Sequence, residues 1–250
     1  MKTVCNKRLF MRGFTLTEFL VAGLLGSLLV LGMSHFIGAS WQTLRYQMHL
    51  TDMQEATRTF FATIEQNLVL ARSTDTFPVN WTASSTHDSG SDQLSLTYTS
   101  SARSNKNCLG NRESGIITNT YYIRPATDSP FQTHDMMCSA NNRSDTIVQQ
   151  IELMKVRYGI DKGRFVNHEF IYQPDGLIDG WVTEINEAKQ HEVVSMEIVL
   201  ITRSQFIDKS ITSTTANTIW DKSITDFGID TNDGYFRRSH SARFNFASGE

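Results

Sequence analysis

Hydrophobic and polar positions divide this chain into stretches of different character. From Phe14 to Trp41, FTLTEFLVAGLLGSLLVLGMSHFIGASW, the apolar run is nearly continuous and Glu18 is the one side chain charged at neutral pH. A helix needs about 20 apolar residues to cross a hydrocarbon core of about 30 Å. After Trp41 the run gives way to spacing: Leu44, Met48, Leu50, Met53, Phe60, Ile64, Leu68 and Ala71 recur mostly every three or four residues, with Arg45, Gln47, Asp52, Glu55, Arg58 and Glu65 between them. That is the period of an amphipathic helix, and neither Pro nor Gly interrupts Ala39 to Arg72. The pattern predicts one helix from Phe14 to about Ala71, roughly 85 Å long at about 1.5 Å per residue. It is apolar all round over residues 14–40 and amphipathic over residues 41–72.

Past Arg72 the sequence becomes rich in Ser, Thr, Asn and Asp, with short runs of period two. Asp92 to Ser100 puts Leu94, Leu96 and Tyr98 on one face, and Gly115 to Arg124 does the same for Ile117, Tyr121 and Ile123, as a half-buried strand requires. Further strands are expected at Met154 to Gly159, Arg164 to Tyr172, Val193 to Thr202 and Tyr235 to Phe246. Ser84 to Ser91, Ser139 to Asp145 and Lys209 to Thr218 read as loops. A long helix followed by strands predicts an α+β fold, with Met53, Phe60, Ile64 and Leu68 facing an antiparallel β domain over residues 73–250.

Composition narrows the function. The 250 residues carry 23 Lys+Arg against 26 Asp+Glu, a formal net charge of −3, which argues against a general binder of nucleic acid, whose affinity rests on neutralising phosphates. A mean hydropathy of −0.29 excludes a polytopic membrane protein. One span fits. Lys2, Lys7, Arg8 and Arg12 precede it and should stay on the cytoplasmic side, which puts everything after Trp41 across the membrane, in the periplasm of a Gram-negative cell. A cleaved secretory signal is disfavoured because the apolar run is too long and no small-x-small site leads into a polar start. Glu18 then needs a reason, since a charge embedded in the span costs about 2.5 to 3.5 kcal/mol on insertion scales. Two are open: a paired, functional carboxylate, or one near the helix start that snorkels and favours the helix dipole.

The run Arg12-Gly13-Phe14-Thr15-Leu16-Thr17-Glu18 resembles the type III signal of type IV pilins and type II secretion pseudopilins. The resemblance implies a pilin-like fold and a leader over residues 1–13 cut between Gly13 and Phe14 by the prepilin peptidase. It implies also that the same enzyme, acting as N-methyltransferase, methylates Phe14 and that Glu18 guides assembly. In a bundle of such helices, Glu18 could neutralise the Phe14 amine of a neighbouring subunit, so that two costly charges satisfy each other. Loss of the leader would remove four of the 23 bases and none of the 26 acids, taking the formal charge to −7. His35 stands where many major pilins carry a helix-bending Pro, and reads as a polar residue near the periplasmic edge of the span or a contact in the subunit bundle.

Cys5 would leave with the leader, so the mature chain keeps Cys108 and Cys138. An even pair in an oxidising compartment suggests a disulfide; zinc is the weaker reading, with His134 as the one His near either Cys and no C-x-x-C present. Asn107-Cys108-Leu109-Gly110-Asn111, then Cys138-Ser139, IELMKVRYGID from Ile151, EIVLITRS from Glu197 and the closing YFRRSHSARFNF from Tyr235 resemble the PilW-like minor pilins. That implies a low-abundance subunit that joins other minor pilins in a priming complex, starts filament assembly and stays at the pilus tip on the cell surface. Before assembly it would sit in the inner membrane. Its implied partners are other minor pilins, the major pilin, the prepilin peptidase and a tip adhesin.

No nucleophile elbow, P-loop or H-E-x-x-H is present, and neither a catalytic residue nor a cofactor is expected. Asp175 and Asp179 in one Asp-Gly pair of turns, and Asp230 and Asp233 in another, are weak calcium candidates that lack the terminal Glu of an EF-hand; turn formation is their default. Arg237, Ser239, Ser241 and Arg243 alternate onto one face of the last strand, expected to be solvated. No direct nucleic-acid binding is expected, because such a patch is too small. The rival readings are the J-type pseudopilin of a type II secretion system and a membrane-anchored periplasmic enzyme.

Overall fold

A computed structural model describes residues 15–72, 90–100, 106–126, 134–166, 169–171, 175–183, 192–204 and 218–246. The chain divides into two compact units, Met1–Met48 and His49–Glu250. One element runs through both, the helix α1 (Leu16–Arg72).

In the first unit every described residue from Thr15 to Met48 is exposed. Much of what is left uncovered is Leu, Val, Phe and Ile. The helix is long and apolar enough to cross a membrane.

In the second unit α1 changes character as its spacing predicts. Met53, Phe60, Ile64 and Leu68 are buried while Glu55, Arg58 and Glu65 are exposed. They pack on two antiparallel sheets. The first is a meander of β1 (Leu94–Ser100), β2 (Gly115–Arg124), β3 (Asp135–Ala140) and β4 (Arg143–Gln149), in that order. The second contains β5 (Ile151–Ile160), β8 (Gly180–Val182), β9 (Val193–Arg203) and β12 (Arg237–Asn245), in the order β12-β9-β5-β8. Two hairpins complete the set among the described residues: β6 (Arg164–Val166) with β7 (Glu169–Ile171), and β10 (Thr218–Ile219) with β11 (Lys222–Ser223).

The chain passes from the first sheet to the second through one residue, Gln150, with a left-handed φ of 70°. Its N–H donates to the His134 carbonyl and its carbonyl accepts from Arg203 N–H, each at 2.8 Å, so the corner is bonded to both sheets. One core results, in which Phe60, Ile64 and Leu68 of α1 meet Leu96, Tyr121, Met136, Val156, Ile198 and Leu200. Phe60 stands edge-on to Tyr121, rings 6.0 Å apart at 88°, an arrangement worth about 0.5–1.5 kcal/mol beyond its burial. A smaller cluster of Leu153, Val199, Ile201, Ile219, Ile224 and Ile229 fills the opposite face of the second sheet.

The α+β architecture and the Gly115–Arg124 strand are as expected, and Arg164 to Tyr172 resolves into the β6–β7 hairpin. Ser139 to Asp145 is a correction. The chain there is a hairpin joining β3 to β4, whose turn residues Asn141 and Asn142 have φ of 49° and 61°. Two consecutive left-handed residues form the turn that matches strand twist, and Asn tolerates that conformation. The expected loops at Ser84 to Ser91 and Lys209 to Thr218 lie almost wholly outside the described residues.

Candidate functional site

The start of α1 is a capping box. Thr15, just before the helix, accepts from Glu18 N–H through its hydroxyl at 3.3 Å, while a Glu18 carboxylate oxygen accepts from Thr15 N–H at 3.0 Å and from its hydroxyl at 2.9 Å. A Thr followed three residues later by Glu satisfies two of the amide donors that a helix start leaves open. Glu18 therefore has a local role that needs no partner subunit. Gly13 and Phe14 lie outside the described residues.

Further along α1, Asn67 anchors a buried polar network. Its amide donates to the Thr63 carbonyl at 2.8 Å and to the Tyr121 hydroxyl at 2.7 Å, and its oxygen accepts from Asn119 at 2.9 Å. Asn119, fully buried on β2, also donates to the Tyr98 hydroxyl at 3.3 Å and accepts from Cys108 N–H at 3.2 Å. The Tyr98 hydroxyl in turn donates a hydrogen bond to the Lys106 carbonyl at 3.0 Å. Helix, sheet and the loop before β2 are thus joined by bonds with few unmet valences, the condition under which a buried network rigidifies a fold. Burial raises the Tyr121 and Tyr98 hydroxyls above their ordinary pKa, so both stay protonated, Tyr98 donating to Lys106 and Tyr121 accepting from Asn67.

The same loop carries Cys108, which is joined to Cys138 of β3 in a disulfide with Cα atoms 6.3 Å apart. Asn107 shapes the loop by accepting from the N–H groups of Leu109 and Asn111, each at 3.0 Å. Glu113 accepts from Asn107 at 2.6 Å and also from Asn141 of the β3–β4 turn. A chain closed over a separation of 30 residues gains about 3 to 4 kcal/mol in the chain-entropy account.

The second sheet carries charge on its outer face. Arg157, Glu197 and Arg243 lie side by side on β5, β9 and β12, and Glu197 pairs with both guanidiniums. Arg157 lies between the indoles of Trp181 and Trp220, 4.4 and 4.8 Å from their centres, and Arg243 stacks on Trp181 at 4.9 Å. Trp220 N–H donates to Glu197 at 3.2 Å. Trp220 sits at the β10–β11 turn with φ of 53°, an outlier for so bulky a residue.

At the other end of β12 the expectation of a solvated Arg237 is corrected. Arg237 is 1% exposed, donating to Glu152 at 2.6 and 3.0 Å and to Asp233 at 2.7 Å. Arg203 adds a contact to Glu152 at 3.6 Å and lies over the Tyr235 ring at 4.2 Å. Burial acts to raise the Asp233 carboxyl, but the Arg237 bonds and charge, with the Tyr235 amide, outweigh it and hold it below the usual carboxylate range. Alternation does place Arg237 and Ser239 on one face; Glu152 and Asp233 cover that end of it.

Of the other calcium candidates, Asp175 and Asp230 each cap a local turn, while Asp179 bonds across to the residue two past β5. Asp175 accepts from Leu177 N–H at 2.9 Å, Asp179 from Lys162 N–H at 2.8 Å and Asp230 from Asn232 N–H at 2.8 Å. Among the described residues no three His, Cys, Asp or Glu side chains gather as metal ligands. Sequence reasoning passed over Asn67, Asn119, Glu152, Trp181 and Trp220. The one available signal was the charged set Glu152, Lys155 and Arg157 inside an otherwise apolar strand.

Comparison with known proteins adds the lineage. Among solved structures, a type IV-like pilin from Thermus thermophilus matches at 12% identity with a TM-score of 0.37, over 75% of this chain and 95% of that one. Comparison with curated proteins returns no match. The family model described as type IV pilus-assembly protein W matches residues 120–246, from within β2 to the residue after β12. That stretch holds Cys138, the Gln150 corner and the whole of the second sheet, and the chain belongs to the PilW family of type IV pilus-assembly proteins.

Proposed function

We propose that this chain is a minor pilin of the type IV pilus, a structural subunit without catalytic activity that joins other minor pilins in a priming complex and stays at the tip. The observation that carries this reading is the division of α1. Its apolar half is uncovered from end to end, while its second half is buried against the sheets. Such a helix has its partner outside the chain, first the bilayer and then a bundle of like helices in a filament. Residues 1–13 are the leader, residues 14–40 the span, 41–72 the amphipathic half, and 73–250 the periplasmic domain. Cleavage falls between Gly13 and Phe14, Phe14 is methylated, and Glu18 exchanges its capping bond for the Phe14 amine of a neighbour.

The decisive test is the mass and N-terminus of the protein from cells with and without the prepilin peptidase. Loss of Met1 to Gly13 and a methylated Phe14 are expected only where the peptidase is present; an intact N-terminus in both rejects the reading. Glu18→Gln separates capping from charge, because it retains the capping oxygen and removes the anion. Normal processing with at least several-fold less protein in sheared filaments is expected, and full incorporation would show that the charge is dispensable. A deletion strain that loses enzyme secretion and keeps its pili would move the chain to the J-type pseudopilins.

A further inference from the structure

The second sheet ends in two unlike edges. β8 is three residues long, whereas β12 runs nine residues in unbroken register with β9. Among the described residues no strand pairs with the other side of β12. A Phe246 N–H bond to the Val194 carbonyl and a Ser204 N–H bond to the Phe236 carbonyl fix which residues bond inward. Even-numbered residues of β12 exchange hydrogen bonds with β9, so the N–H and C=O groups of Ser239, Ser241 and Arg243 point away from the sheet. All three residues are exposed, and two have side chains small enough to admit a neighbouring backbone. A long edge without bulge or Pro is a template for another strand, which proteins commonly avoid leaving open.

Charge says what kind of strand fits. β12 carries Arg237, Arg238, His240 and Arg243 and no acid, on a chain whose net charge is −3. Arg237 is spent on Glu152 and Asp233. Arg243 is not spent in the same way. It shares the single carboxylate of Glu197 with Arg157, its Nη2 lies 3.8 Å from that carboxylate, and half its side chain is exposed. Stacking on Trp181 holds its guanidinium in place, which lowers the ordering cost of binding a second carboxylate. A second copy of β12 would oppose like charges.

We propose that the outer edge of β12 is a docking edge, where an extended acidic segment of a neighbouring pilus subunit adds as a further strand and places a carboxylate on Arg243. The backbone bonds supply affinity and the carboxylate supplies register. That the owner of the strand is a pilus subunit rests on the function proposed above; that the strand is acidic rests on the edge.

The test is photo-cross-linking in the organism's own cells, with a benzophenone side chain placed in the full chain at Ser241 or, as a reference, at Leu28 in the apolar half of α1. Adducts from Ser241 are expected on an extended, acid-rich peptide of a pilin-type subunit. Ser241→Pro, tested with the probe at Ser239, should reduce them at least ten-fold. The lost N–H points away from β9, so the sheet itself keeps its bonds. Arg243→Gln should reduce them several-fold and carries the test if the Pro variant does not fold. Absent adducts, adducts on a basic or helical peptide, adducts on a second copy, or yields that neither variant changes would overturn the proposal. Leu28 adducts on pilins without Ser241 adducts would refute the edge and keep the function. Ser241 adducts on an acidic strand of a protein unrelated to pili, without Leu28 adducts on pilins, would do the reverse.

Discussion

Arg237 is the side chain whose loss should be felt most sharply. Its guanidinium neutralises Glu152 and Asp233 inside the protein, and removing one partner of a buried pair leaves the other charge uncompensated, at about 3–5 kcal/mol. Arg237→Leu should lower the unfolding free energy by that amount in urea titrations of the full chain in detergent. Arg237→Lys should rescue little of it, because a lysine cannot match the fork that grips both carboxylates. His134, close by, gives a pH signature. Burial first, then the Arg203 and Arg237 charges, lower its pKa against the opposing pull of Glu152 and Asp135, and its buried Nδ1 finds no hydrogen-bond partner among the described residues. A folded pKa below the unfolded value of about 6.5 means that the unfolded chain binds the proton more readily. Stability is then full above about pH 6.5 and declines as pH falls toward the folded pKa. The urea midpoint should drop between pH 7.5 and 5, and His134→Gln should flatten part of that slope; an unchanged slope counts against it. Little of this was legible in the sequence beyond a charged Glu152 inside an apolar strand. Alternation correctly puts Arg237 and Ser239 on one face, but burial at only one end of that face depends on Glu152, 85 residues away, and on a turn that folds Asp233 back.

Elements were more legible than the joints between them. The change in α1 from continuous to spaced apolar residues forecasts which half is buried, and Met53, Phe60, Ile64 and Leu68 are all inside. β2 and β9 announce themselves through β-branched and aromatic runs. The β3–β4 hairpin does not, because Ser139 to Asp145 is polar throughout and only the paired Asn residues in left-handed conformation reveal a tight turn. Asn67 and Asn119 were invisible for a related reason: an Asn in a helix or strand looks like a surface residue until its partners are known. Their network joins α1 to the first sheet, so Asn119→Ala should strip partners from Asn67, Tyr98 and the Cys108 amide together. At about 1–3 kcal/mol for each buried group left unmet, and with some refilled by water, a loss of about 2–4 kcal/mol is expected in the same urea titration. Phe60→Ala should cost about 3–5 kcal/mol through the cavity beside Tyr121. A loss under 1 kcal/mol for either would mean that the α1 contact with the sheets contributes little.

For the molecule as a whole, two separate signals point the same way: the resemblance of residues 12–18 to a pilin signal at one end and the PilW family match over residues 120–246 at the other. That resemblance was visible in sequence because its residues are local, with small residue, Phe, Glu and basic flank inside seven positions. The docking edge was not, since an edge is defined by what fails to pair with it. The disulfide has a further consequence if the chain is put under load, as the proposed place in a filament would do. Cys108 and Cys138 enclose all of β2, the strand between β1 and β3 in the first sheet. When the chain is pulled from its ends, those 30 residues cannot be drawn out, and at about 3.3–3.6 Å per residue roughly 100 Å of length stays locked. Single-molecule stretching should show a contour gain about 100 Å longer in reductant than without it. In an oxidising compartment the middle of the first sheet is therefore inextensible, and an overloaded subunit can lengthen only through the chain on either side of that loop.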